Sequence, residues 1–142
     1  MSIQQQAMID ADPAQVYAVL ADAEALSALS GMSGAGGRST GEEFSAFDGH
    51  VVGRQVELVP GERIVQAWRF PAWEPGTYAI VRFTVVPDDD RTRLVIEQHG
   101  EPADWHDHID ANWPTFYLTP LTEHFAAPAG ASACPAAAAA GV

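Results

Sequence analysis

EFSAFDGHVVGRQVELVPGERIVQAWRFPAW, residues 43–73, contains two segments typical of β-strands, His50–Val59 and Arg63–Phe70. They flank Pro60-Gly61, the pair that a type II turn favours at its two central positions. The stretch therefore predicts a β-hairpin. The second strand of this hairpin carries Trp68, and a large aromatic side chain on a strand either fills a core or lines a cavity.

The strand pattern continues on both sides of the hairpin. In Thr77–Val86 the apolar residues Ala79, Val81, Phe83 and Val85 alternate with Tyr78, Ile80, Arg82 and Thr84. In Arg91–Gln98, Leu94 and Ile96 alternate with more polar residues. The region from Phe44 to Gln98 therefore predicts a meander of antiparallel strands with one apolar face. Its turns are expected at Asp48-Gly49, Pro60-Gly61, Pro75-Gly76 and Pro87–Asp90.

The segment before the meander predicts a strand followed by two short helices. Ser2–Ile9 resembles a strand, and Asp12-Pro13 supplies a helix N-cap and a proline at the first helical position. Asp22 begins a second short helical segment. The glycine-rich loop Gly31–Gly41 lacks the spacing and the lysine of a phosphate-binding loop, so we interpret it as a mobile loop at the rim of a cavity.

The last element is an amphipathic helix. Apolar residues recur at helical spacing from Trp105 to Phe125, and this stripe suits a helix that covers the apolar face of the sheet. Pro114 predicts a break or a fresh start of the helix near Asn112. The order of elements predicts an α+β fold: a curved antiparallel sheet of six to seven strands wrapped around a long C-terminal helix.

A chain of 142 residues has the length of one domain. Residues 126–142 contain almost only Ala, Gly and Pro and no charge, so we expect a folded domain over residues 1–125 and a flexible tail after it.

The charge balance excludes some partners. Nineteen acidic residues stand against seven basic ones, all of them arginine, and the net charge is −12. Such a surface repels nucleic acid and anionic membranes. The sequence shows no secretory signal pattern and no apolar segment of membrane-spanning length, and Cys134 is the single cysteine. We expect a cytoplasmic protein that does not insert into membranes.

The sequence resembles the helix-grip superfamily, which includes START-related lipid-transfer domains, polyketide cyclases and birch-pollen-allergen-like proteins. Within it, the chain is most similar to the family named for its similarity to the carboxy-terminal domain of the heat-shock protein 90 ATPase activator. The resemblance runs in family order over residues 1–125 and is carried by Phe44–Gly49, Gly53, Glu57-Leu58, Arg63–Arg69, Trp73, Gly76–Tyr78, Thr92–Leu94, Gln98–Pro102, Trp113, Phe116-Tyr117 and Pro120-Leu121. It departs from the family pattern at Asn112 and Pro114, and lysine is absent.

A helix-grip fold implies a cavity between the sheet and the closing helix. Large amphipathic rings are the candidates to line it, because indole N–H and phenol O–H groups can orient a ligand. Gln66 shares the strand parity of Trp68 and adds an amide. The predicted ligand-binding residues are Phe47, Gln66, Trp68, Trp73, Tyr78, Trp113, Phe116 and Tyr117.

No metal, cofactor or catalytic site is predicted. His106 and His108 lie about 200° apart on a helix, so they cannot share one ion as an i, i+4 pair can. Asp48, Glu57, Glu97, His50 and His99 are candidate acids or bases if they lie beside Trp68, and Glu57 is otherwise expected to pair with Arg69 across the sheet.

Three functions remain, in decreasing order of preference. The first is non-catalytic binding of a small apolar or amphipathic molecule in the cavity. The second, implied by the family resemblance alone, is a co-chaperone that binds a heat-shock protein 90-type partner. The third is a small cyclase, dehydratase or hydrolase that uses a cavity acid or base. The chain is expected to be a monomer or a homodimer, the latter through Val51, Val65 and Ala67 on the outer sheet face.

Overall fold

The computed structural model describes residues 2–126, and its elements follow the predicted order. They are β1 (Ser2–Ile9), α1 (Pro13–Leu20), α2 (Ala23–Ala28), β2 (Ala35–Gly36), β3 (Glu43–Ala46), β4 (Val51–Val59), β5 (Arg63–Arg69), β6 (Ala79–Asp88), β7 (Arg91–His99), a 3-10 turn (Ala103–Trp105), α3 (His106–Trp113), a π-helical turn (Pro114–Leu118) and α4 (Thr119–His124). The tail predicted for residues 126–142 lies outside the described residues, apart from Ala126.

The strands form one antiparallel sheet of seven strands in the order β1-β7-β6-β5-β4-β3-β2. The predicted hairpin is the pair β4–β5. Its turn is closed by a hydrogen bond of 3.0 Å from the Glu62 N–H to the Val59 carbonyl, and Gly61 has the positive φ, 72°, that a type II turn requires at this position. The sheet curves around the closing helix, defined as α3, the π-helical turn and α4, so the α+β helix-grip prediction is confirmed.

The beginning of α1 follows the predicted capping chemistry. The Asp12 side chain accepts a hydrogen bond of 2.9 Å from the Gln15 N–H, and the Gln15 side chain accepts one of 3.2 Å from the Asp12 N–H. Pro13 occupies the first helical position, where a missing N–H costs nothing. This reciprocal cap fixes the point at which the chain leaves β1 and turns over the sheet.

The inner face of the sheet carries the core. On β6 the side chains of Ala79, Val81, Phe83 and Val85 are buried, and on β7 those of Leu94 and Ile96 are buried, as the alternation predicts. The closing helix contributes Ile109, Trp113 and Leu121 from the opposite side. Apolar surface from both layers is thus removed from water along the length of the sheet.

The closing helix continues through Pro114 without the break that the sequence predicted. A proline removes one backbone donor and clashes with the carbonyl four residues earlier. Here the chain accommodates it by widening into one π-helical turn, Pro114–Leu118, before α4 begins. The prediction of a break near Asn112 is therefore wrong: the irregularity begins at Pro114, and the backbone stays helical from Trp113 through Thr119.

Within residues 2–126, no helix is both long enough and apolar enough to cross a bilayer.

Candidate functional site

A cavity of about 360 Å³ lies between the inner face of the sheet and the closing helix. Its wall is mainly apolar and aromatic. It is formed by Met32, Phe47, His50, Val51, Trp68, Phe70, His108, Ile109, Asn112, Trp113, Phe116 and Tyr117. Five of the eight predicted ligand-binding residues border this inner cavity, namely Phe47, Trp68, Trp113, Phe116 and Tyr117.

Trp68 forms the sheet side of the wall. It lies on β5 with the parity of Ile64 and is only 2% exposed. Its indole stacks on that of Trp113, with ring centroids 5.7 Å apart and planes inclined by 17°. Trp113 is held in turn by a hydrogen bond of 2.9 Å from its Nε1–H to the Gln98 Oε1 atom on β7. One stacked pair therefore joins the sheet to the closing helix at the cavity.

Phe47 enters the cavity because the turn between β3 and β4 is unusually shaped. Phe47, Asp48 and Gly49 have φ values of 54°, 58° and 86°, a left-handed run that non-glycine residues rarely adopt. The buried Ser27 hydroxyl supports the turn by accepting a hydrogen bond of 2.9 Å from the Phe47 N–H. The Phe47 ring then contacts Phe116 and Tyr117, with centroid distances of 5.8 and 5.1 Å.

Asp48 ties the same turn to the glycine-rich loop. Its Oδ1 atom accepts hydrogen bonds from the Ser33 N–H at 2.7 Å and from the Ser33 hydroxyl at 2.9 Å. These two donors hold the pKa of Asp48 below its ordinary value. The Gln55 side chain also donates to the Gly37 carbonyl at 3.0 Å. The loop predicted to be a mobile rim is thus anchored to β4 and to the Phe47 turn, although it does reach the rim through Met32.

The π-helical turn positions Phe116 and Tyr117. The Tyr117 ring lies 4.4 Å from that of Trp113 and stacks on Phe83 at 5.8 Å. Burial raises the pKa of the Tyr117 hydroxyl far above its ordinary value, and the neighbouring Trp68 N–H offsets a part of this rise. The Trp68 Nε1 atom nevertheless forms no full hydrogen bond within the described residues.

Two histidines stand at the mouth of the cavity. His50 Nδ1 lies 2.6 Å from the Phe47 carbonyl, so this nitrogen carries the proton and donates it. Asn112 Nδ2 lies 3.1 Å from His108 Nε2, which therefore accepts. With Phe70, both histidines also border an outer depression of about 390 Å³.

Three predicted site residues lie elsewhere. Trp73 packs behind the wall, 6.0 Å from Trp68 and stacked on Phe70 at 5.7 Å. Gln66 is buried on the inner face but does not border the cavity. The placement of Tyr78 in the cavity was wrong: its side chain is on the outer face, 49% exposed, with the Arg69 guanidinium 5.8 Å from its ring centroid. Tyr78 directly precedes β6, and because Ala79 points to the inner face, its own side chain points away from the cavity.

The sequence-based hypothesis missed several wall residues. Val51 was expected on the outer face, but it is buried and borders the cavity, so it cannot contribute to a dimer surface there. A bulge between Gln55 and Glu57 changes the parity of β4, and periodicity counted back from the end of the strand therefore gives the wrong face. Phe70 carried a usable signal, since it shares the parity of Trp68.

No carboxylate borders the inner cavity within the described part of the chain. Glu57 pairs with Arg63 at 2.7 Å rather than with Arg69 as expected, and Glu97 pairs with Arg82. Arg69 instead donates to the backbone carbonyls of Trp73, Glu74 and Thr77. Residues 2–126 contain no group of three or more His, Cys, Asp or Glu side chains arranged to hold a metal ion.

Comparison with known sequences agrees with the geometry. The family model described as "Activator of Hsp90 ATPase homolog 1-like protein" matches residues 10–126. The mouse "Activator of 90 kDa heat shock protein ATPase homolog 1" is 28% identical over 113 residues, which are 80% of this chain and 33% of the mouse protein. The uncharacterised protein C1711.08 of Schizosaccharomyces pombe is 34% identical over 82 residues, 58% of this chain and 24% of that protein. The chain spans about a third or less of the length of these curated relatives.

Solved structures share the fold. PFC0360w, described as an HSP90 activator from Plasmodium falciparum, superposes with a TM-score of 0.78 at 23% identity, covering 84% of this chain and 91% of that one. The Aha1 dimer from Colwellia psychrerythraea gives a TM-score of 0.76 at 16% identity, covering 91% of this chain and 99% of that one. The resemblance inferred from the sequence is confirmed: the chain belongs to the family of Activator of Hsp90 ATPase homolog 1-like proteins.

Proposed function

We propose that this protein binds a small apolar or amphipathic molecule in the inner cavity and performs no chemistry on it. The observation that carries the proposal is the volume of about 360 Å³ enclosed by aromatic walls. This volume lies within the range of small-molecule sites in proteins, which are also mostly apolar with a few polar groups. It corresponds to roughly a dozen water molecules at liquid density.

The energetics favour an apolar occupant. Water in such a space finds few hydrogen-bond partners, because the polar atoms of Trp113 and His50 are already bonded within the protein. A ligand that displaces this water buries its own apolar surface at about 25 cal/mol for each Å². The stacked Trp68–Trp113 pair offers a large, rigid contact surface that loses little entropy on binding.

Binding of 2-acetylnaphthalene, measured by equilibrium dialysis, tests the proposal. Val51→Phe places extra volume in the cavity and should reduce the affinity at least tenfold. Ile80→Phe introduces the same ring at an exposed position on the outer face of β6 and should leave the affinity unchanged. Equal affinity in all three proteins, each checked for folding by circular dichroism, would show that binding does not use the cavity. Native mass spectrometry of the purified protein should in addition reveal a co-purified small molecule.

The family match supports a second candidate, binding to an Hsp90-type chaperone. The name of the mouse relative describes an activator of such an ATPase. The chain covers only a third of that protein. For this chain we propose association with such a chaperone and an effect on its ATPase rate. Pull-down with the host chaperone and its ATPase rate are the measurements. A rate unchanged by excess protein, together with no association, would exclude this function.

A further inference from the structure

Two hydrogen-bond donors, on Trp68 and Tyr117, border the inner cavity, and the first has no partner within the described residues. The Trp68 Nε1–H makes no hydrogen bond there. The Tyr117 side chain borders the same cavity, and the indole N–H offsets part of the rise that burial causes in the pKa of its hydroxyl. Both side chains are buried and border the cavity. Buried polar groups usually have partners, so an unsatisfied indole N–H in a cavity wall indicates a missing acceptor.

The indole and the phenol differ in the hydrogen bonds that they can make. An indole N–H can only donate a hydrogen bond, whereas a phenol can both donate and accept. The Trp68 N–H lies near the Tyr117 hydroxyl but makes no hydrogen bond within the described residues, so both groups are left with a donor. The phenol remains protonated because burial disfavours its charged form. Its O–H therefore remains a donor, in the same wall as the unpartnered Trp68 N–H.

The remaining polar groups of the wall do not compete for this role. His50 donates its Nδ1–H to the Phe47 carbonyl, and His108 accepts from Asn112, so both rings are already oriented at the mouth. No carboxylate or arginine borders the cavity in the described residues. A neutral acceptor on the ligand is thus the complement of the deep end of the cavity, since a charge there would be desolvated without an opposite charge.

We propose that the cavity selects neutral apolar molecules that carry one carbonyl-type hydrogen-bond acceptor, and that the Tyr117 hydroxyl donates to this acceptor. The inference rests on the proposed binding function and specifies the chemical class of the ligand. It assigns the contact with the acceptor to Tyr117, which shares the cavity wall with the unpartnered Trp68 N–H.

The test compares two probes of nearly equal shape. The first is 2-acetylnaphthalene, and the second is 2-isopropenylnaphthalene, in which a CH₂ group replaces the carbonyl oxygen. A net hydrogen bond predicts that the wild-type protein binds the ketone about threefold to tenfold more tightly. Tyr117→Phe removes only the hydroxyl and should abolish this preference, while the affinity for the alkene stays the same. Tyr78→Phe makes the same change on the exposed outer face and should keep the full preference.

The outcomes separate the two proposals. Equal affinity of both probes for the wild type would overturn the acceptor class and leave the cavity function standing. A ketone preference that persists in Tyr117→Phe would overturn the role of Tyr117. Binding of neither probe would overturn the cavity function and the inference with it.

An infrared measurement on the wild type requires no variant. The carbonyl stretching frequency of bound, isotope-labelled 2-acetylnaphthalene should be lower than in hydrocarbon solvent, as expected for a hydrogen-bonded ketone. A frequency equal to that in hydrocarbon would contradict the inference even if Tyr117→Phe failed to fold.

Discussion

Ser27 is a small residue on which the shape of the cavity depends. Its buried hydroxyl accepts a hydrogen bond from the Phe47 N–H, at the start of a left-handed run of three residues. Such a run is unfavourable for phenylalanine and aspartate and persists only where the surroundings hold it in place. The hydroxyl therefore positions an aromatic wall residue twenty positions away in the sequence.

Ser27→Ala should lower the free energy of unfolding by about 1–3 kcal/mol, because a buried backbone N–H loses its partner. It should also weaken binding of 2-acetylnaphthalene, since Phe47 is no longer fixed. Urea denaturation and equilibrium dialysis give the two values. Ser39→Ala, at an exposed position, is the control and should change neither. A Ser27→Ala protein as stable as the wild type would show that the turn needs no support from Ser27.

Asp48 should make stability depend on pH in the acid range. Its folded-state pKa is lowered by hydrogen bonds from Ser33, so its carboxylate stabilises the folded state above the unfolded pKa near 3.8. This stabilisation is lost as the pH falls through the lower, folded pKa. The difference in unfolding free energy between wild type and Asp48→Asn should be constant above about pH 5 and shrink below it. Denaturation curves recorded between about pH 2 and pH 7, a range that includes the ordinary Asp pKa, measure this difference in unfolding free energy.

Ser33→Ala provides the matched comparison, because it removes the hydroxyl donor and keeps the backbone donor. In that background the effect of Asp48→Asn should depend less on pH. The same pH dependence with and without the Ser33 hydroxyl would contradict the assigned cause.

Single-residue placement was the least predictable level. The position of Trp68 followed from parity along an uninterrupted strand. By the same parity rule, the Tyr78 side chain points to the outer face. Its assignment to the cavity did not take this parity into account. Val51 could not be placed correctly, since the bulge at Gln55–Glu57 leaves no clear signal in sequence. Ion-pair choice, such as Glu57 with Arg63, depends on which side chains share an edge after pairing.

At the scale of elements, β4 depends on close approach at Gly53. A Cβ atom there would lie 2.1 Å from the Ala67 carbonyl oxygen and 3.0 Å from the Phe44 ring. Gly53→Ala must therefore push β4 away from β5, with an expected loss of about 1–3 kcal/mol of stability. Thermal or urea unfolding measures this loss.

Gly61→Asn is the contrast for this prediction. Gly61 has a positive φ, but nothing lies within 4 Å of its Cβ direction, and asparagine tolerates the left-handed region. The stability that Gly61→Asn loses should stay below about 1 kcal/mol. If Gly53→Ala were as mild, the strand spacing would be more adaptable than its contacts indicate.

Elements with regular periodicity were predicted well, and irregular ones were not. β6 and β7 alternate cleanly, and α1 carries a cap and a first-turn proline, so their type and faces were readable. The π-helical turn at Pro114–Leu118 was not predicted, because a helix can accommodate a proline by a break, a kink or a wider turn. Packing of Tyr117 against Phe83 and Trp113 accompanies the wider turn, and Phe83 is distant in sequence.

At the scale of the whole molecule, the net charge of −12 should influence which ligands arrive. Anionic 2-naphthoate is repelled by the long-range field of the protein, whereas neutral 2-acetylnaphthalene is not. Raising the salt concentration from 0.01 M to 0.15 M shortens the screening length from about 30 to about 8 Å. The affinity for 2-naphthoate should therefore rise with salt and that for 2-acetylnaphthalene should stay nearly constant, as measured by calorimetry. A salt-independent affinity for the anion would rule out this steering.

The fold was predictable at this scale because length, order of elements and one apolar sheet face permit few arrangements. The fold predicted that a cavity exists, but it did not predict which residues border it. Cavity walls are set by side chains from six separate segments, and small errors in register move each of them.

The stacked Trp68 and Trp113 rings have one further use. One ring is carried by the sheet and the other by the closing helix, with 5.7 Å between their centroids. Electronic coupling between two indoles falls steeply with separation. Their near-ultraviolet signal therefore depends on the distance between the sheet and the closing helix. A molecule that separates the two layers should change this signal, and no added label is needed to detect it.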